Sequence, residues 1–312
     1  MSLGPPRVSV IVATLRRPES LPLAVGSILA CAHDSFELLI ADQNEDGDTA
    51  RQLRAYLGDP RLHLVGMPPV GLSQGQNLAV AHARGQILLF TDDDCQVPQD
   101  WITQTEAAFE RHPQAGLLFG EVVAGPHDAT KGFIPCVQRP AERVWRYVTD
   151  KPALEVMGAC MAIRKAAWDL LIGFPSEIGP GKPTSAGGDY DIALRALLQG
   201  ISVLETPAVW VLHHGFRDWP RAQALLEGYA YSTALVLALR TARHPTIFLR
   251  SLQAYWQSYW RNQSSIVASA RLSKETHAMS AGIRPRRLRA FVRGLARGIR
   301  MAYLPKHTVH PA

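Results

Sequence analysis

The sequence predicts an α/β protein with a parallel sheet in its first half and a helical C-terminal region. Three observations carry that reading. Apolar, β-branched runs at residues 8–13, 36–41 and 86–91 alternate with stretches of helical spacing. Acidic residues stand where two of those runs stop. Beyond Arg217 the chain is almost wholly helical in character.

Taken in order, residues 8–13 (VSVIVA) read as a buried strand, and 20–31 follow with Leu21, Ala24, Ile28 and Leu29 at helical spacing. Residues 36–41 form the second strand, which ends at Asp42 and a turn-rich segment at 44–47. A helix is predicted at 49–57, a short strand at 62–65, and a helix at 73–84 with Gly85 in the position of a C-terminal cap. Residues 86–91 are the third strong strand and run straight into Asp92-Asp93-Asp94. Strands and helices in this alternation wind right-handedly, and such sheets bind ligands at the carboxyl ends of their strands. Asp42 and the acidic triplet both lie at such ends.

From 116 to 215 short strands (116–123, 157–163, 201–211) enclose Gly- and Pro-rich loops, notably 174–188, and a helix is predicted at 192–198. Residues 222–239 and 247–260 are apolar helical stretches. The chain divides near Arg217 into residues 1–216 and a helical region, 217–312.

A length of 312 residues suits one large domain with an appendage, or two modest domains. The net charge of +6 favours an anionic partner, whether sugar nucleotide, phospholipid surface or nucleic acid, without choosing among them. Cys31, Cys95, Cys136 and Cys160 form no CxxC pair, which argues against a zinc knuckle or disulfide framework and for a reducing cytosol. The N-terminus lacks the pattern of a signal peptide, and no apolar run is long enough for a transmembrane helix. These features predict a cytoplasmic protein.

The acidic triplet carries the chemistry. Three carboxylates at a strand end repel one another and are costly without a cation or hydrogen-bond donors. Oxygen ligands of this kind suit Mg²⁺ or Mn²⁺, which bridge diphosphate oxygens. The plainer reading is a solvated acidic turn that caps the next helix. Asp189 and Asp191 follow a Gly-rich loop and precede the 192–198 helix, where either could also serve as a cap. His213 and His214 end a strand-like run, a position more often structural than ligating.

Residues 87–95 (ILLFTDDDC), with Pro98 and Trp101, resemble the DxD segment of family 2 glycosyltransferases, which have the GT-A fold. Other landmarks occur in that family's order. Residues 8–14 resemble its first nucleotide-binding strand, and 37–46 (ELLIADQNED) the strand whose terminal Asp meets the base. Residues 71–77 (GLSQGQN) with 83–85 (ARG) resemble the helix segment before the DxD strand, and 158–165 (GACMAIRK) the donor-sugar strand. Residues 187–191 (GGDYD) resemble the acceptor-side acidic motif, and 211–214 (VLHH) the late histidine. The resemblance spans residues 7–215.

It implies a Rossmann-like nucleotide-binding mixed sheet flanked by helices, the GT-A fold, with a helical C-terminal extension; residues 1–216 would be the catalytic domain, its nucleotide-binding half about 1–100 and its acceptor half about 101–216. The implied activity is inverting hexosyl or deoxyhexosyl transfer from a nucleotide-diphosphate sugar, most readily a UDP- or dTDP-sugar, to a glycan or lipid-linked hydroxyl. Ala13, Thr14, Asp42, Gly71, Asn77, Asp92 and Asp93 would form the donor site, with Asp93 in a position the family varies. Asp92, Asp94 and His213 would hold Mn²⁺ or Mg²⁺, with His214 the second choice. Asp189 would be the general base that takes the acceptor's proton. Arg217, in a flap at 215–219, would pair with the diphosphate or else lie on the surface. Two departures stand out. Gly188 replaces the acidic residue that usually precedes the base. Gln74 and Gln76 occupy a segment where relatives often place an arginine, leaving phosphate contact to Arg16, Arg17, Arg217 or the metal.

A sugar-nucleotide nucleotidyltransferase would need a Gly-rich basic loop after the first strand, and residues 13–18 (ATLRRP) lack it. A non-catalytic anionic-surface module is the other alternative. No nucleic-acid motif is present, and the acidic triplet would repel a phosphate backbone. The C-terminal region carries a separate signal. Arg286, Arg289, Arg293, Arg297 and Arg300 recur on one stripe of residues 286–304, and Leu288, Phe291, Leu295, Ile299 and Ala302 on another. A basic amphipathic helix of this kind suits the inner face of an anionic membrane, or packs on its own domain with a solvated basic face. Tyr255, Trp256, Tyr259 and Trp260 read equally as core, interfacial belt or sugar-stacking wall.

Overall fold

The predicted strand runs form because every other residue has a core to enter on each side of the sheet. In a computed structural model, strand β1 (Val8–Thr14) sends Ile11 and Ala13 to one face and Val8, Val10 and Val12 to the other. Strands β2 (Phe36–Asp42) and β4 (Ile87–Asp92) split their side chains in the same way. The structure describes residues 4–44, 47–148, 156–180, 184, 186–261 and 274–303, excepting the side chains of 258–261 and 274–284. Loop residues 181–183 and 185, turn residues Glu45 and Asp46, the side chains of Tyr259 and Trp260, and Leu304 therefore lie outside it.

One face is covered by α1 (Leu21–Leu29) and α4 (Trp101–Arg111). The other is covered by α3 (Leu72–Val80), α5 (Lys165–Leu171), α6 (Gly188–Leu198) and α7 (Trp219–Thr241). Between them lies a nine-stranded sheet in the order β3-β2-β1-β4-β9-β6-β10-β5, with β8 (Arg143–Trp145) beside β10. The remaining strands of this sheet are β3 (Leu62–Gly66), β5 (Cys95–Gln96), β6 (Ala115–Ala124), β9 (Met161–Arg164) and β10 (Ser202–His213). Strands β3, β2, β1 and β4 are parallel, as the alternation predicted. Strand β9 runs antiparallel between β4 and β6, which makes the whole sheet mixed. A separate two-stranded ribbon pairs β7 (Gly132–Phe133) with β11 (Arg217–Asp218). The register sets Thr14 opposite Asp42 and Ala13 opposite Asp92, so the strand ends with chemistry line up.

Local boundaries differ from the predictions for definable reasons. Helix α2 (Asp48–Gln52) is shorter than 49–57, because the chain then turns, with Tyr56 N–H donating to Leu53 O and Asp59 N–H to Tyr56 O. Helix α3 ends at Val80, so Gly85 is not its cap. Gly85 is needed for close approach instead: a Cβ there would lie 2.5 Å from the Ser9 nitrogen. Residues Gly158–Cys160 form a 3₁₀ turn ahead of β9 rather than part of a longer strand. Helix α6 starts at Gly188, so Asp189 and Asp191 sit in its first turn instead of preceding it.

Helix α8 (Pro245–Arg261) and α9 (Lys274–Tyr303) complete the chain. The 216/217 junction changes the secondary structure but not the core. Leu235, Val236 and Leu237 of α7 join the cluster that holds Ile11 and Phe90. Helix α9 lies against α7 through Ala290 and Phe291, which cluster with Ala230 and Ala234. All four cysteines are buried, and no disulfide joins any two of them. Among the described residues, no helix is long and apolar enough to cross a membrane.

Candidate active site

The aligned ends of β1 and β4, the end of β10 and helices α3, α6 and α7 enclose a cavity of about 520 Å³. Strand β10 runs to His213, and β5 pairs with it so that Cys95 lies opposite His213. That pairing folds the Asp93–Asp94 turn back against the histidine. His213 Nε2 is 3.3 Å from Asp94 Oδ1, while Nδ1 donates to the Pro135 carbonyl at 2.8 Å. A carbonyl only accepts, so Nδ1 keeps its proton and Nε2 is the nitrogen aimed at the carboxylates. His214 points elsewhere, its Nε2 at 2.7 Å from Gln96 Oε1.

Thr14 Oγ1 donates to Asp93 at 2.8 Å, and Arg17 lies 3.8 Å from Asp93 and 3.6 Å from Asp94. Arg16 takes a left-handed conformation (φ 57°) with its N–H on Asn44, and this turn carries Arg17 to the site. Burial pushes Asp92 up to about 7, helped by Asp94 and opposed by His213. Asp93 is pushed up to about 6 by burial, against Thr14 and Arg17. Burial acts on Asp94 too, but His213, Arg17 and Arg217 outweigh it and hold the carboxyl below its ordinary value. Burial lowers His213, yet Asp94, Asp92 and the Pro135 carbonyl prevail and raise it.

Donor atoms of Asp92, Asp94, Cys95 and His213 all lie within 4.8 Å of one another. Two carboxylates and an imidazole with its far nitrogen anchored fit Mn²⁺ or Mg²⁺. The raised pKa of Asp92 reflects burial and the neighbouring carboxylates, a charge conflict that a divalent cation would relieve. Burial raises the Cys95 thiol well above its usual range, so it contributes little to a hard cation.

Asp189 lines the same cavity. Its Oδ2 accepts the Gly158 N–H at 2.9 Å and its Oδ1 the Tyr190 N–H at 2.8 Å, which fixes the carboxylate plane. Burial raises its pKa, although those N–H groups pull the other way. Asp191 faces inward and is fully buried, bound to Arg195 at 2.6 Å and Arg240 at 2.7 Å, a tie between α6 and α7.

Of the predicted donor residues, Ala13, Thr14, Gly71, Asp92, Asp93 and Arg217 border the cavity. Asp42 does not. Its Oδ1 accepts from Thr49 Oγ1 at 2.6 Å and from both nitrogens of Asn44, and the wall residue is Gln43, whose Oε1 takes the Gly71 N–H at 2.9 Å. Asn77 is likewise withdrawn, its amide exchanging two hydrogen bonds of 2.8 and 2.9 Å with the Phe174 backbone. Gln76 borders the cavity, whereas Gln74 does not. Sequence reasoning missed Tyr229 and Arg287, which with Tyr255 make a wall from the C-terminal helices. Nothing in their spacing announced them, because three separate helices supply them. Burial and Asp189 push the Tyr229 phenol up.

A mixed sheet between helical layers, with a carboxylate–imidazole cluster at its strand ends, is the architecture of the GT-A glycosyltransferases. The family model "Glycosyl transferase family 2" matches residues 9–171, just over half of the chain. The chain belongs to that family. It is 28% identical over 228 residues to the O-antigen biosynthesis protein RfbC of Myxococcus xanthus, a match covering 68% of this chain and 17% of that protein. A glucosyl-dolichyl phosphate glucuronosyltransferase of Haloferax volcanii is 31% identical over 121 residues, 38% of each chain. The chain thus spans only a minor part of the curated relatives it matches. Among solved structures, the mannosyltransferase of Pyrobaculum calidifontis in complex with GDP-Man and Mn²⁺ superposes with a TM-score of 0.62 at 20% identity, covering 93% of this chain and 87% of that one. S. aureus TarS 1–349 gives 0.58 at 15%, covering 95% and 89%. At these identities the two structures establish the fold.

Proposed function

We propose that this chain is an inverting, metal-assisted glycosyltransferase that moves a sugar from a nucleotide-diphosphate sugar to a hydroxyl of a glycan or lipid-linked acceptor. One observation carries the reading. A backbone-anchored carboxylate, Asp189, shares a single cavity of about 520 Å³ with the Asp92–Asp94–His213 cluster. A cavity of that size accommodates a nucleotide sugar with room for part of an acceptor.

A divalent cation bound by Asp92, Asp94 and His213 would neutralise charge on the leaving diphosphate. Arg17 and Arg217, which flank the cluster, would face the remaining phosphate oxygens. Asp189 removes the proton from the acceptor hydroxyl as that oxygen attacks the anomeric carbon. The bond from that carbon to the phosphate oxygen breaks on the opposite face, and its electron pair leaves with the nucleoside diphosphate. The pKa of Asp189, raised by burial, brings it nearer the working pH of a general base. Gln43, Gly71 and the end of β1 would border the nucleoside, in place of Asp42 and Asn77. A UDP- or dTDP-sugar remains the expected donor. We place the reaction at the cytoplasmic face of a membrane, where lipid-linked acceptors are found.

Thermal-shift measurements with UDP, GDP and dTDP, each with and without Mn²⁺, test the donor site. Stabilisation that requires both nucleotide and metal is expected, and no response to any pair would count against the reading. Asp189→Asn should keep that shift while transfer falls by on the order of a hundredfold or more. Unchanged turnover would remove Asp189 as the base.

A further inference from the structure

We infer that the C-terminal helices form a shallow docking surface for an anionic lipid bilayer, working through charge and a narrow exposed apolar strip. The first observation is charge segregation. Residues 228–312 hold 14 Lys and Arg against one acidic residue, Glu275, a net of +13, whereas residues 1–227, with 19 basic and 26 acidic, carry −7. A chain of net +6 is therefore an acidic catalytic body with a strongly basic end.

The second observation is the division of α9 into three stripes. Ala290, Phe291, Gly294, Gly298 and Ala302 are buried. A Cβ on Gly294 would lie 2.1 Å from the Tyr231 carbonyl oxygen, and one on Gly298 2.3 Å from that of Leu235. The helix backbone is thus seated directly on α7. Of the apolar stripe read from the sequence, Phe291 and Ala302 are buried there and Leu295 packs against the same cluster, so the helix cannot turn these toward lipid without leaving the core; Ile299 stays exposed.

Arg286, Arg289, Arg293, Arg297 and Arg300, spaced three or four residues apart, are all exposed on a second stripe. Beside it, at i, i+7 and i+11, stand Val292 (56% exposed), Ile299 (37%) and Tyr303 (60%). Helix α8 also exposes Leu249 (61%) and Trp256 (45%), seven residues apart and hence on one side of it. Exposed aliphatic groups alternating with arginines suit headgroups and the upper acyl region, since a phosphate backbone offers nothing to Val292, Ile299 or Leu249. That mixture favours a bilayer over a nucleic acid. Arg287, on the same helix, borders the cavity, so the docking surface and one wall of the site belong to a single element. The link from docking to a membrane-borne acceptor rests on the transfer reaction proposed above; the docking itself does not.

Co-sedimentation of the full chain with phosphatidylcholine vesicles, and with vesicles that also contain phosphatidylglycerol, tests the surface. Binding is expected only to the anionic vesicles, and rising salt should weaken it. The double variant R289E/R293E should lower partitioning by on the order of tenfold or more, as expected when two basic residues near an anionic surface are reversed. V292S/I299S should weaken binding severalfold and leave its salt dependence unchanged. Wild-type indifference to phosphatidylglycerol, full binding by R289E/R293E, or preference for a single-stranded RNA oligomer would each overturn the proposal. The shift with UDP and Mn²⁺ in vesicle-free buffer separates the two readings and also verifies folding of each variant. Docking lost with the shift intact sinks only the surface, and docking retained without any nucleotide shift sinks only the transferase. If R289E/R293E fails to fold, the lipid and salt dependence of the wild type and V292S/I299S decide.

Discussion

Asp92 and Asp94 stand two residues apart, yet their pKa values move in opposite directions. Asp94 has the imidazole of His213 at 3.3 Å and two arginines nearby, whereas Asp92 has burial and its own neighbours' charge. The folded protein therefore holds protons on Asp92 up to about 7 and on Asp93 up to about 6, both above the ordinary 3.8. A raised carboxyl pKa contributes stability at low pH that is lost as pH rises through the folded value. His213, also raised, acts in the same direction: its contribution is full below 6.5 and lost at higher pH. The depressed Asp94 matters only in acid, below 3.8. Metal-free protein should therefore lose stability as pH rises from 3.8 through about 7, with His213 adding to the loss above 6.5, and Mn²⁺ should restore it, since the ion replaces those protons. The check is the Mn²⁺-induced rise in Tm, measured against EDTA at about pH 5.5 and about pH 8, expected to be several times larger at the higher value. Equal rises would rule out these carboxylates as ligands. The sequence exposed Asp92, Asp94, Asp189 and His213 because each sits at a strand end or first helical turn within a recognisable segment. It could not show that Asp42 Oδ1 is held by Thr49 and Asn44, or the Asn77 amide by Phe174, because those hydrogen bonds depend on loop conformation.

At the scale of elements, β1, β2 and β4 were legible because an apolar strand buried on both faces leaves few alternatives. Strand β5, only two residues long, was not, although it brings His213 to Asp94. The end of α3 was misread because Gly85 serves a close backbone approach to Ser9 rather than a cap. The same economy governs α7 and α9. Gly294 and Gly298, one turn apart, let α9 approach the carbonyls of Tyr231 and Leu235, and Arg297 Nη1 reaches the Tyr231 hydroxyl at 3.0 Å. Backbone carbonyls inside a helix cannot retreat as a side chain can. Gly294→Ala should thus force the helices apart and destabilise the protein by about 1–3 kcal/mol. Urea unfolding reads this directly. A variant with wild-type midpoint and slope would mean that α9 is not seated on α7 in solution.

Taken as one body, the molecule does not divide where its composition does. Among the described residues, 1–216 contain every strand but β11, yet α7 supplies Leu235, Val236 and Leu237 to the core around Ile11 and Phe90. Burying three such side chains contributes about 5–9 kcal/mol, an upper figure because unfolded chains already bury some surface. That is comparable with the roughly 5–15 kcal/mol that holds a typical domain together. Removing α7 also takes Arg240 from Asp191, leaving this fully buried carboxylate with Arg195 alone. The cavity loses Tyr229, Tyr255 and Arg287 in the same step. A fragment ending at residue 216 should therefore show no cooperative thermal transition, bind a dye that reports exposed apolar surface, and give no shift with UDP and Mn²⁺. A sharp transition with the nucleotide shift preserved would show instead that the sheet and its site are self-sufficient. The C-terminal helices would then serve the acceptor and the surface alone. The core contacts of α7 argue for the first outcome, because they lie beneath the same strands whose ends carry Thr14 and Asp92.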